Sequence, residues 1–104
     1  MKFIHPEQAK LKMNKENFFI LDIREQYEYD ICKIEALHIP MSEILSRIDE
    51  ISRENDVVVM CKSGNRAIAV ANLLITDYEY SNVYVLEGGI LAWIEQIEPN
   101  LEKY

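Results

Sequence analysis

The feature that most constrains the fold is an apolar stretch interrupted once by a short polar loop. Residues 57–60 are Val-Val-Val-Met, a continuous apolar run typical of a strand buried on both faces of a sheet. Residues 67–74 carry few polar side chains and predict a helix packed inside the domain. The loop between them is residues 61–66, so Cys61 ends the strand and Arg66 stands where the helix begins.

The rest of the chain alternates in the same way. Further strands are predicted at residues 18–21, 37–39 and 82–86. Helices are predicted at 6–14, 43–52 and 90–97, with a short helix or turn at 25–31. The helix at 43–52 would be capped by Ser42 and would bury one stripe made of Ile44, Leu45, Ile48 and Ile51. Strands alternating with helices predict an α/β fold of three layers, α/β/α, around a central and mostly parallel sheet of four to five strands.

Composition limits the domain organisation and the location. With 104 residues, the chain is expected to form one domain over residues 1–104. It contains two cysteines, too few for a disulfide framework, and a reactive thiol needs a reducing compartment. No apolar run is long enough for a signal peptide or a membrane span. We therefore expect a cytoplasmic protein with no membrane partner.

The charge distribution argues against nucleic acid as a partner. The formal net charge is −7, although residues 57–76 contain two basic residues and no acidic one. A locally basic loop on an acidic body lacks the clustered cations that phosphate backbones require. Metal binding is not expected from two distant histidines, His5 and His38, and one thiol. The pair Gly88-Gly89 is too short for a dinucleotide fingerprint, so no cofactor is predicted.

The loop at 61–66 has the chemistry of a nucleophilic site. Ligands bind beyond the carboxyl ends of parallel strands, where Cys61 is expected to meet the positive N-terminus of a helix. Lys62 and Arg66 add two cations, and Gly64 would allow a positive φ that turns backbone amides toward one centre. These features favour a thiolate and an anion bound beside it.

Three blocks then resemble a known family. Residues 21–25 (Leu-Asp-Ile-Arg-Glu), 61–66 (Cys-Lys-Ser-Gly-Asn-Arg) and 86–93 (Leu-Glu-Gly-Gly-Ile-Leu-Ala-Trp) are similar, in this order, to those of single-domain rhodaneses. Residues 31–40 (Ile-Cys-Lys-Ile-Glu-Ala-Leu-His-Ile-Pro) look more like the rhodanese domains attached to adenylating enzymes that activate sulfur-carrier proteins.

The resemblance implies a sulfurtransferase. Cys61 matches the position that carries a persulfide, after attack on thiosulfate, a polysulfide or a persulfide donor. The loop that curls around this sulfur matches Lys62, Ser63, Gly64, Asn65 and Arg66. An acceptor thiol or cyanide would then remove the outer sulfur.

Three other functions are considered. Thiol phosphatases and arsenate reductases place five residues between Cys and Arg, in a loop wide enough to hold a tetrahedral oxyanion. In this chain only four residues lie between Cys61 and Arg66, so the loop is smaller. A relay or interaction module would accept sulfur from a protein donor such as a cysteine desulfurase. An inactive domain used only for binding is disfavoured because Cys61 is present.

Other residues have both a functional and a structural interpretation. Asp22 and Arg24 follow a strand and either border the pocket or tie loops together. Cys32 is either a small core residue or a resolving thiol, and the core role is favoured. The spacing of Trp93 indicates a core position. Relatives often place a glycine where Glu79 stands, so we expect a different helix end there.

Overall fold

The computed structural model describes residues 1–15 and 17–104 and contains a five-stranded sheet. The strand order is β1-β5-β4-β2-β3, and each neighbouring pair is parallel. The strands are β1 (Lys2–Ile4), β2 (Phe18–Asp22), β3 (Leu37–His38), β4 (Asp56–Met60) and β5 (Val83–Leu86). The predicted α/β class with a central parallel sheet is confirmed.

Helices cover the sheet, and side chains alternate between two core clusters. The helices are α1 (Pro6–Lys12), α2 (Gln26–Ile31), α3 (Asn65–Thr76) and α4 (Gly89–Gln96). In β2, Phe18 and Ile20 join a cluster with residues of α1 and α4, whereas Phe19 and Leu21 join a cluster with residues of α3. Strand β4 is central, and its last four side chains are fully buried, as its apolar run predicts.

The site lies at the carboxyl ends of the strands. Strands β2 and β4 are adjacent, with Asp22 paired to Met60 in the register, so the segments that follow them meet at one edge of the sheet. The backbone N–H of Ile23 continues this pairing by donating to the Met60 carbonyl at 3.0 Å. This edge therefore brings together the two loops that carry the candidate residues Cys61 and Arg24.

Two segments differ from their predictions. Strand β1 was not predicted, because its three residues are too short to show an alternating pattern. The predicted helix at 43–52 with Ser42 as its cap is wrong: the chain forms two 3₁₀ segments, Met41–Glu43 and Leu45–Glu50. Arg47 interrupts the second with φ −121°, and this kink leaves Leu45 of the supposed stripe 59% exposed, while Ile44 and Ile51 remain buried.

Helix α3 is followed by a left-handed residue where no glycine is present. Glu79 has φ 58°, the conformation that glycine adopts most easily. Glu79 therefore adopts the backbone conformation that a glycine would supply at this position. The Tyr80 N–H then donates to the Leu74 carbonyl at 3.0 Å, which satisfies one free carbonyl of the last turn.

Within the described residues, no helix is both long enough and apolar enough to cross a membrane.

Candidate active site

The Cys61 sulfur lies inside a turn of backbone amides. Its Sγ accepts the N–H of Gly64 at 3.1 Å and that of Ala67 at 3.3 Å. Gly64 has φ 121°, and no atom lies within 4 Å of the position that a Cβ would occupy, so backbone conformation and not space calls for glycine there. The positive φ predicted for Gly64 is thus confirmed. Ala67 lies in the first turn of α3 and was not predicted as a contact.

The amides and the helix together stabilise negative charge on this sulfur. Two N–H groups point at Sγ, and α3 begins at Asn65 with its positive end toward the loop. Cys61 is only 1% exposed, so little of the residue is open to a bulky reacting group. This arrangement suits attack on a terminal sulfur atom better than attack on a bulky ester.

The first turn of helix α4 is hydrogen-bonded to the loop at residues 61–66. The N–H groups of Ile90 and Leu91, in its first turn, donate to the carbonyls of Cys61 and Lys62 at 2.9 and 3.2 Å. A Cβ on Gly89 would lie 2.6 Å from the Cys61 carbonyl oxygen, which leaves no room for any side chain. The sequence predicts a tight strand-to-helix turn at Gly88-Gly89, and the structure adds that its second glycine allows the loop to approach α4.

The cation predicted at Arg66 is paired with a buried carboxylate. Its Nη1 and Nη2 donate to the two carboxylate oxygens of Glu28 at 2.7 and 2.9 Å, and the Glu28 side chain is 3% exposed. This bidentate hydrogen bonding raises the pKa of Arg66 above its usual range. Glu28 was not identified from the sequence, where it is one acid among several on a short helix.

Asp22 and Arg24 form a buried ion pair. Arg24 Nη2 donates to Asp22 Oδ2 at 2.7 Å, and both side chains are fully buried. The same guanidinium donates to the carbonyls of Glu28 and Cys32 at 3.2 and 2.9 Å, so it joins the end of β2 to α2. Burial disfavours its charge, but the hydrogen bonds to Asp22 and Tyr104 outweigh burial and raise the pKa of Arg24. These contacts favour the structural interpretation of both residues.

Tyr104 connects the ion pairs to the loop, although it is distant in sequence. Its hydroxyl donates to Glu28 Oε2 at 2.7 Å and accepts from Arg24 Nη1 at 3.2 Å. The Lys62 Nζ lies 4.6 Å from the centroid of its ring. Burial raises the pKa of Tyr104 to about 12, so the hydroxyl keeps its proton at neutral pH. The sequence gives no local signal for these contacts.

The remaining candidates make no hydrogen bond to the Cys61 sulfur among the described contacts. Ser63 and Asn65 complete the loop, and no side-chain hydrogen bond to Cys61 involves them among the described residues. Cys32 is buried in the core cluster on the opposite face of the sheet from Cys61, which favours its packing role. His38 Nε2 hydrogen-bonds the Arg24 carbonyl at 2.8 Å, so that histidine is satisfied locally. Trp93 is fully buried, as predicted.

Metal ligation finds no support in the described part of the chain. No group of three or more His, Cys, Asp or Glu side chains is arranged there to hold a metal ion. His5 instead lies 2.9 Å from Glu87 at the protein surface.

The Glu28 ion pair predicts acid sensitivity. Hydrogen bonding to Arg66, opposed by burial, lowers the pKa of Glu28 from 4.5 to about 2. Because the folded pKa is depressed, the pair stabilises the fold fully above about pH 4.5, and this contribution is lost as the pH falls through about 2. We expect Glu28→Gln to lower the free energy of unfolding by about 3 kcal/mol at pH 7 and by much less near pH 2.

Chemical denaturation of both proteins between pH 7 and pH 2 measures this difference. Glu43→Gln, which removes an exposed acid paired with Arg47, serves as the matched control. A stability difference between parent and Glu28→Gln that stayed constant over this range would contradict the prediction.

Comparison with known proteins agrees with this geometry. The family model described as "Rhodanese-like domain" matches residues 5–96. The chain belongs to the rhodanese-like domain family. The resemblance seen in three separate sequence blocks is confirmed, because the matched range includes all of them.

Individual relatives are similar over most of this rhodanese domain. A rhodanese-related protein from Thermoplasma volcanium superposes with a TM-score of 0.84 at 29% identity, covering 98% of this chain and 100% of its own. A rhodanese-like domain protein from Staphylococcus aureus gives a TM-score of 0.82 at 25% identity, covering 100% and 99%. The Candida glabrata protein named adenylyltransferase and sulfurtransferase UBA4 is 28% identical over 85% of this chain, which spans 23% of that protein's length.

Proposed function

We propose that this protein is a sulfurtransferase that carries sulfane sulfur as a persulfide on Cys61. The observation that carries the proposal is the Cys61 sulfur held by two backbone N–H groups at the N-terminus of α3. Membership of the rhodanese-like family supports a role in sulfur transfer, as does the sulfurtransferase named among its relatives.

The reaction has two displacement steps. In the first, the Cys61 thiolate attacks the outer sulfur of thiosulfate, a polysulfide or a persulfide, forming one S–S bond. The donor's own S–S bond breaks, and sulfite or a thiolate leaves with the electron pair. In the second step, cyanide or an acceptor thiolate attacks the outer sulfur, and the Cys61 thiolate is released. The amides on Sγ stabilise the charge that returns to this atom in each cycle.

A second candidate is a relay role within the same chemistry. Here the donor would be a protein such as a cysteine desulfurase, and the sulfur would pass on to sulfur-carrier or tRNA thiolation pathways. The net charge of −7 favours this version, since an acidic surface does not attract small anionic donors at low salt.

Phosphatase chemistry is disfavoured by the arginine as well as by loop length. A bidentate grip on an oxyanion through Nη1 and Nη2 of Arg66 would compete with Glu28, to which both nitrogens already donate.

Intact-mass spectrometry tests the proposal. After incubation with thiosulfate or an alkyl persulfide and removal of the donor, we expect the mass to rise by one sulfur atom. Cyanide should return it to the starting value with release of thiocyanate. Peptide mapping should place the added sulfur on the fragment containing Cys61. An unchanged mass with every donor, or sulfur found only on Cys32, would refute the proposal.

A further inference from the structure

Both cationic side chains of the loop are engaged within the protein. Arg66 is bound through two N–H groups to Glu28, whose carboxylate also accepts the Tyr104 hydroxyl. Lys62 lies over the Tyr104 ring at 4.6 Å. The loop therefore has a formal charge of +2 in the sequence, but Glu28 offsets one charge and Tyr104 positions the other.

The engagement of both cations by Glu28 and Tyr104 affects which sulfur donors the site binds well. Thiosulfate is a dianion, and its attraction to the site depends on cations that are free to approach its oxygens. A persulfide on an alkyl or protein thiol presents a slender terminal sulfur and needs no such cation. The amides that hold Cys61 act on the sulfur itself, so they serve both donors equally.

We propose that Glu28 and Tyr104 are specificity-determining residues, which occupy Arg66 and Lys62 and thereby favour persulfide donors over small dianionic donors. This inference rests on the proposed sulfurtransferase function and names its substrate class. Glu28 and Tyr104 act through the two cations and are positioning residues, because neither touches Cys61 in the described contacts.

The test compares two donors in the parent, three variants and one control variant. Steady-state kinetics are measured with thiosulfate and with hydroxyethyl persulfide, whose only charge is on the terminal sulfur, for the parent, Glu28→Gln, Tyr104→Ala and Tyr104→Phe. Glu43→Gln is the matched control, since Glu43 pairs with Arg47 at the surface instead. Circular dichroism confirms that each variant is folded at the assay temperature.

Removing the partner of either cation should lower the KM for thiosulfate more than the KM for the persulfide. We expect Glu28→Gln to lower the KM for thiosulfate about threefold to tenfold and Tyr104→Ala to lower it about twofold to fivefold, with kcat little changed. The KM for the persulfide should move less than about twofold, and added salt should reduce the gain with thiosulfate. Tyr104→Phe keeps the ring over Lys62 and should stay closer to the parent than Tyr104→Ala.

The failure of this inference differs from the failure of the proposed function. Equal shifts in KM for both donors, or an unchanged or higher KM for thiosulfate in Glu28→Gln and Tyr104→Ala, would refute the specificity role alone. A parent protein that takes sulfur from neither donor would refute both.

Discussion

Cys61→Ser is expected to abolish sulfur loading and to lower sulfur transfer by about a thousandfold or more. A serine hydroxyl is not ionised at neutral pH and cannot form the S–S bond of the proposed persulfide. The amides of Gly64 and Ala67 would still face the substituted atom, so the fold should be kept while the chemistry is lost. Turnover with an alkyl persulfide, together with the intact mass after donor treatment, measures the effect.

Cys32→Ala is the matched control for this experiment. Cys32 is the second free cysteine, and it is buried in the cluster on the other face of the sheet. Its removal takes a small apolar group from the core, so we expect modest destabilisation and near-parent turnover. Transfer at the parent rate by Cys61→Ser would contradict the nucleophile assignment, and loss of transfer in Cys32→Ala would instead indicate a two-thiol mechanism.

Arg24→Leu is expected to cause the largest loss of stability. The substitution leaves the Asp22 carboxylate fully buried without its partner and removes the hydrogen bonds that join β2 to α2. Breaking a buried pair on one side costs about 3–5 kcal/mol, which corresponds to a fall in melting temperature of at least about 12 °C. Calorimetry or thermal circular dichroism measures it.

Arg47→Leu provides the comparison for Arg24. Arg47 is also ion-paired, but with the carboxylates of Glu43 and Glu50 at the protein surface. Water replaces such exposed contacts easily, so the melting temperature of Arg47→Leu should stay close to that of the parent. If Arg24→Leu and Arg47→Leu lowered the melting temperature equally, burial would not be the source of the stability attributed to the Asp22–Arg24 pair.

The parts of the site that could be predicted are those built from neighbouring residues. The β4 strand, the loop and the start of α3 are continuous in sequence, so the apolar run, Gly64 and the following helix already place Cys61 at a helix N-terminus. The core position of Trp93 could be predicted because a helical period repeats its environment along one short segment. In each case the residues that determine the structure are close together in the sequence.

The parts that could not be predicted depend on contacts between distant segments. Tyr104 meets Arg24 across 80 positions and Glu28 across 76, and no periodic pattern records either contact. The pairing of Arg66 with Glu28 was missed for the same reason, since 38 positions separate the two residues. Ile44, Leu45, Ile48 and Ile51 have helical spacing, yet a kink at Arg47 lets Ile44 and Ile51 reach the core without a regular helix.

The contact between α4 and the loop at residues 61–66 has a consequence for the sulfur atom that Cys61 is proposed to carry. Because the amides of Ile90 and Leu91 anchor the Cys61 and Lys62 carbonyls, and Gly89 leaves no gap behind them, the loop has nowhere to retreat when its thiol gains an atom. In the proposed persulfide, the added sulfur atom would therefore lie on the side of the loop away from α4, where an acceptor approaches. The proposed persulfide form and the free thiolate form would then have nearly the same backbone conformation, and an acceptor would distinguish them by contact with the added sulfur atom.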